Sequence, residues 1–153
     1  MVGCILVGTA FAGVGPASKA TGGVTLDAPW GETLFTFSAH ETTPPRGEAQ
    51  FRMLTTGQYY HAKVRCVNVI APDTALFVLE VTSSNEPWVG LWVFIKVYDG
   101  GTPGTKGDLA WGGFVDKEVA LEHCKAGTTP DDLLTLSSVL RGNLVVNKRQ
   151  REI

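Results

Sequence analysis

The sequence predicts an all-β protein, a single antiparallel β-barrel or sandwich of about eight strands, with one short helix or long connection near residues 116–140. Three observations predict it. From Gly22 onward apolar residues recur mostly at every second position, the repeat of a half-buried strand and not of a helix. Turn-forming clusters interrupt that repeat at Thr42 to Pro45, Thr55 to Gly57, Ala71 to Asp73 and Ser83 to Pro87. The 153 residues, 44% hydrophobic and 18% charged, describe one ordinary domain with one core.

Val2 to Val14 (VGCILVGTAFAGV) is a run without a charge, followed by Gly15, Pro16 and the small residues Ala17, Ser18 and Ala20 around Lys19. Such a run is too short to span a bilayer as a helix, which needs about 20 residues, and Ser18 with Ala20 suits a signal peptidase cutting after Ala20. Residues 1–20 therefore read as a signal segment, 21–148 as the β domain and 149–153 as a basic tail. No Lys or Arg precedes the apolar run. A second reading stays open, in which it is an ordered strand buried in its own barrel or donated to a neighbouring copy.

In the β domain, Glu32 to His40 places Phe35, Phe37 and Ala39 on one face and Leu34, Thr36, Ser38 and His40 on the other. Gly47 to Leu54 alternates Ala49, Phe51 and Met53 against Glu48, Gln50 and Arg52. Tyr60, Ala62, Val64 and Cys66 share a face, but the apolar phase then shifts to Val67 and Val69, which predicts a β-bulge near Cys66. Ala75 to Val81 is apolar at nearly every position. Trp88 to Tyr98 reads as the longest strand and, with neither face wet, as a central one. A glycine-dense loop spans Asp99 to Asp108, and Leu109 to Val115 is a short strand. Asp116 to Cys124 suits a short helix within a long connection, and Asn143 to Lys148 closes the series.

Once Cys4 leaves with the signal, Cys66 and Cys124 remain, and two cysteines in a small exported domain read as a disulfide. No C-x-x-C is present and no histidine is spaced to complete a zinc site, so no metal or cofactor is expected. The formal net charge of -2 argues against nucleic acid, which needs a basic face. The basic cluster Lys148, Arg149 and Arg151 reads as a solvated tail.

Several short segments follow one another along the chain: Thr21 to Gly23 (TGG), Gly47 to Phe51 (GEAQF), Tyr59 to Val67 with its cysteine, Asp99 to Gly104 (DGGTPG) ahead of Asp108, and Arg141 to Val146 (RGNLVV). In these the chain resembles a broad group of small secreted bacterial all-β proteins of unknown function. The resemblance implies secretion and an all-β fold, and it supplies no catalytic residue.

No G-x-S-x-G or comparable nucleophile elbow is present, so no catalytic residue is assigned. His40, Glu41 and His61 read as surface groups on wet strand faces. Asp99 and Asp108 flank the glycine loop and have oxygens to offer calcium, but their spacing matches no EF-hand, and turn chemistry accounts for the loop. The remaining resource is aromatic. Trp30, Trp88 and Trp92 sit close to turns, where a β scaffold presents its contacts, and are the candidate ligand-binding residues for a glycan or a small apolar ligand. The leading expectation is an exported, non-enzymatic binding or structural module, secreted or at the cell surface. Two alternatives stay open: a ligand-holding barrel acting as a cyclase or isomerase, which needs an interior cavity lined by aromatics, and a subunit that self-associates through its N-terminal apolar strand.

Overall fold

The computed structural model describes residues 17–101 and 107–149. Eight strands run β1 (Lys19–Ala28), β2 (Gly31–His40), β3 (Arg46–Met53), β4 (Tyr59–Ala71), β5 (Thr74–Ser84), β6 (Trp92–Tyr98), β7 (Leu109–Phe114) and β8 (Thr135–Asn147). Each pairs antiparallel with its sequence neighbour, and β8 returns to β1, so the sheet closes into an up-and-down barrel. Helix α1 (Lys117–Ala126) and a single 3-10 turn (Asp131–Leu133) lie between β7 and β8.

The period-two repeat sorts side chains to the two sides of the wall. Inward residues such as Val24, Phe35, Phe37, Ala62, Phe77, Val97 and Leu144 form the core. A second cluster lies outside the barrel, where Ala120 and Cys124 of α1 cover Leu76, Val78 and Phe94. That cover explains why β5 is apolar at nearly every position: Ala75, Phe77, Leu79 and Val81 fill the interior while Leu76 and Val78 lie beneath the helix. The wall bulges between Val64 and Cys66 of β4, as the phase shift predicts, and there Cys66 is bonded to Cys124 of α1.

Three boundaries differ from the sequence reading. The barrel takes in Ser18, Lys19 and Ala20, upstream of the expected start at Thr21: Ala20 is buried in the core, and Ser18 Oγ accepts from Arg149 N at 2.6 Å. Of residues 1–20, read as a signal segment or an ordered strand, 1–16 lie outside the described residues. The strand expected over Trp88 to Tyr98 starts only at Trp92, because Pro87 to Gly90 turns, and the longest strands are β4 and β8 at 13 residues each. β8 begins at Thr135, well before Asn143.

Among the described residues, the barrel has a sealed end and an open one. At the sealed end, near the β2–β3, β4–β5 and β6–β7 turns, side-chain oxygens hold backbone amides. Glu41 Oε1 accepts from Val69 N at 2.7 Å, and Asp99 Oδ2 from Val146 N at 3.2 Å. Asp108, almost wholly buried, accepts from Gly100 N at 2.8 Å. Above them the rings of Phe35, Phe37 and Phe77 stack at 5.2 and 5.1 Å and fill the middle of the barrel. Gly22 makes room for this stack, since a Cβ there would lie 2.6 Å from the Phe37 ring.

Candidate ligand-binding site

The other end of the barrel is hollow. A cavity of about 410 Å³, within the range of small-molecule sites, opens where the β1–β2, β3–β4 and β5–β6 turns and the β7–β8 connection meet.

One wall is a chain of aromatic rings passed from element to element. Trp30, in the β1–β2 turn, tilts against Phe51 of β3 at 6.2 Å. Phe51 stacks on Tyr60 of β4 at 4.8 Å, nearly parallel. Tyr60 meets Trp88 of the β5–β6 turn edge-on at 6.4 Å, and Trp88 tilts against Phe114, the last residue of β7, at 5.6 Å. These spacings are the offset and edge-on arrangements that aromatic quadrupoles favour. Register produces the collar, because Phe51 and Tyr60 are direct cross-strand partners flanking one turn, and Phe114 faces inward opposite Val93. The Trp30 indole is fixed by Nε1 donating to Thr33 Oγ1 at 2.8 Å.

The opposite wall comes from β8 and the 3-10 turn. Leu133 lies at the rim, and Thr135 and Ser137 face inward opposite Gly112 and Ala110. Gly113 lets the turn press against β7, since a Cβ there would sit 2.1 Å from the Leu133 carbonyl oxygen. Deeper down, Leu26, Phe35 and Ile95 line the cavity. The rim is apolar too: Trp30, Phe114 and Leu133 are exposed, as are Leu54, Val89 and Leu91 in the surrounding turns. Among the described residues the lining contains no aspartate, glutamate, histidine, lysine, arginine or cysteine. Its one ionisable group is the Tyr60 phenol, whose burial pushes its ionisation far above the ordinary tyrosine range.

Of the three tryptophans singled out in the sequence, the structure brings Trp30 and Trp88 to this mouth and places Trp92 elsewhere. Trp92 points out of the barrel and packs at the α1 cluster, with Lys117 Nζ 5.3 Å from its ring centroid. Phe51, Tyr60, Phe114, Thr135 and Ser137 were not singled out. Their signal is positional: each lies on the inward register close to a turn at the open end.

The polar candidates do not converge. His40 bonds Ser38 at 2.9 Å, Glu41 caps Val69, and His61 stands on the outer wall edge-on to Tyr59. Asp99 and Asp108 hold backbone amides, and no group of three or more potential metal ligands occurs among the described residues. No helix among the described residues is long and apolar enough to cross a membrane.

No protein-family model, curated protein or solved structure matches the chain.

Proposed function

We propose that this protein is a binding barrel that holds a small, uncharged, apolar molecule in its mouth and performs no reaction on it. The observation that carries the reading is the cavity of about 410 Å³, walled by an aromatic collar and, among the described residues, free of charged side chains. Such a lining gains from removing apolar surface from water, at roughly 25 cal/mol per Å². It would charge heavily for burying an ion, which has no partner there. A glycan fits less well, since sugars need a dense set of hydrogen-bonding groups and the lining is mostly hydrocarbon. Turnover finds no support in the lining. General acid–base or nucleophilic catalysis needs a carboxylate, imidazole, amine or activated nucleophile at the ligand, and the one titrating group is a phenol held protonated at neutral pH. The Cys66–Cys124 bridge suits an oxidising compartment and supports a working place outside the cytoplasm.

The test is a titration with N-phenylnaphthylamine, a neutral probe that brightens in apolar surroundings. Saturable binding to one site is expected, with affinity lowered about tenfold by Trp88→Ala and unchanged by Trp92→Ala. Absence of saturable binding, or equal sensitivity to the two substitutions, overturns the reading.

A further inference from the structure

Three hydroxyl groups interrupt the apolar lining, and their placement departs from the rule the rest of the barrel obeys. Along β8 the inward positions further down are Val139, Leu144 and Val146, all core residues, whereas near the mouth they are Thr135 and Ser137. On the opposite side of the ring of strands, β4 contributes Tyr60. Ser137 is only 5% exposed and Tyr60 only 3%.

Two other buried hydroxyls are held within the chain: Thr33 is engaged by Trp30 and the Gly31 carbonyl, and Ser18 by Arg149 N. Indeed, among the described residues every side-chain nitrogen or oxygen sealed off from solvent has a partner. No hydrogen bond among the described residues engages the hydroxyls of Tyr60, Thr135 or Ser137. Each hydroxyl therefore keeps some accessible surface, and the cavity is the space that all three residues line. Leaving such groups against hydrocarbon costs free energy unless something in the cavity bonds to them.

We infer that the ligand is an oxygenated apolar molecule, an alcohol or ketone on a hydrocarbon skeleton, whose oxygen is bound by the hydroxyls of Ser137 and Thr135 or of Tyr60. This rests on the cavity being a binding site, as proposed above, and narrows what it takes. A hydrocarbon leaves the three hydroxyls unpaired. A carboxylate or sulfonate finds no cation in the lining, and an amine finds no anion. A neutral oxygen accepts from a hydroxyl on either wall, and an alcohol donates as well.

The experiment compares one skeleton in four forms, by displacement of bound N-phenylnaphthylamine: bornane, its ketone camphor, its alcohol borneol, and camphor sulfonate. Camphor or borneol is expected to bind about 3- to 10-fold more tightly than bornane, and the sulfonate more weakly than any. The advantage over bornane should vanish in Ser137→Ala or in Tyr60→Phe, with bornane itself little affected. Loss in either variant supports the inference and identifies the wall that holds the oxygen. Equal binding of bornane, camphor and borneol to the native barrel, or an advantage that survives both substitutions, overturns it while leaving the cavity a binding site. If the naphthylamine probe binds and none of the four displaces it, the oxygen inference falls alone. If the probe itself does not bind, the binding reading falls with it.

Discussion

At the scale of single residues, the barrel depends on a few positions where nothing larger fits. Phe37 is held between Phe35 and Phe77, so it cannot yield to a methyl group at Gly22, where a new Cβ would meet it at 2.6 Å and Leu144 at 3.1 Å. Gly22→Ala should cost about 1–3 kcal/mol, read as a lower urea midpoint at unchanged slope. Gly113→Ala acts on the site, since its Cβ would displace the Leu133 carbonyl and move the turn that forms one rim of the mouth. Weaker binding of the naphthylamine probe with the barrel intact by circular dichroism is the expected result. Tyr60 predicts a pH dependence. Its phenol ionises at a higher pH in the folded than in the unfolded chain, so above the ordinary tyrosine value the folded state holds more protons. Its contribution to stability is complete below about pH 10 and is lost as pH rises from there, by up to about 1.4 kcal/mol per pH unit. Urea titrations at alkaline pH should show a shallower decline for Tyr60→Phe than for the native protein. Ligand affinity, by contrast, should be flat from about pH 5 to about pH 8, where nothing in the lining titrates.

At the scale of elements, α1 is held to the wall twice, by Ala120 over the outer apolar cluster and by the bond from Cys124 to the β4 bulge. Cross-linking residues 58 apart stabilises the fold by about 4 kcal/mol in the chain-entropy model. The Cys66→Ser, Cys124→Ser pair of substitutions should lower stability by an amount approaching that figure, and amide exchange in α1 should rise more than in β1 and β2, which do not pair with the bridged strand. The same elements show what the sequence makes legible. The bulge was readable because the apolar phase slips between Val64 and Val67, the bridge because two cysteines remained once Cys4 was set aside, and the helix from the polar break after Val115. β1 was harder, because Gly22 and Gly23 replace the apolar residues that would mark a strand, one of them so that Phe37 fits. The start of β8 was hidden for a different reason. A strand whose inward side chains face a cavity puts Thr135 and Ser137 inside and leaves Leu136 and Leu140 exposed, the reverse of the usual pattern. The place of Trp92 was not legible for a third reason: the face it occupies is apolar because α1 covers it, and its sequence neighbours give no sign of that cover.

At the scale of the whole molecule, local pairings build the wall and one distant pairing closes it. β1 and β8 join the two ends of the chain, with Lys19 opposite Asn147. A circular permutant of residues 18–149, its ends bridged by a short linker and reopened in the Ala71–Thr74 turn at the sealed end, should fold and bind the probe as the native chain does. Reopening instead between Met53 and Tyr59 cuts the turn joining Phe51 to Tyr60, and a marked fall in affinity is expected. Equal affinity in the two permutants would show that the collar does not need that connection.

Both strand termini emerge beside the sealed end, while every residue of the collar lies at the other. The barrel is thus a bowl that the described chain enters and leaves at its foot. Whatever is fused or tethered at Lys19 or beyond Asn147 holds the bowl by its foot and points the opening away from the surface of attachment. Immobilised through either terminus, the protein should take up its ligand as freely as it does in solution.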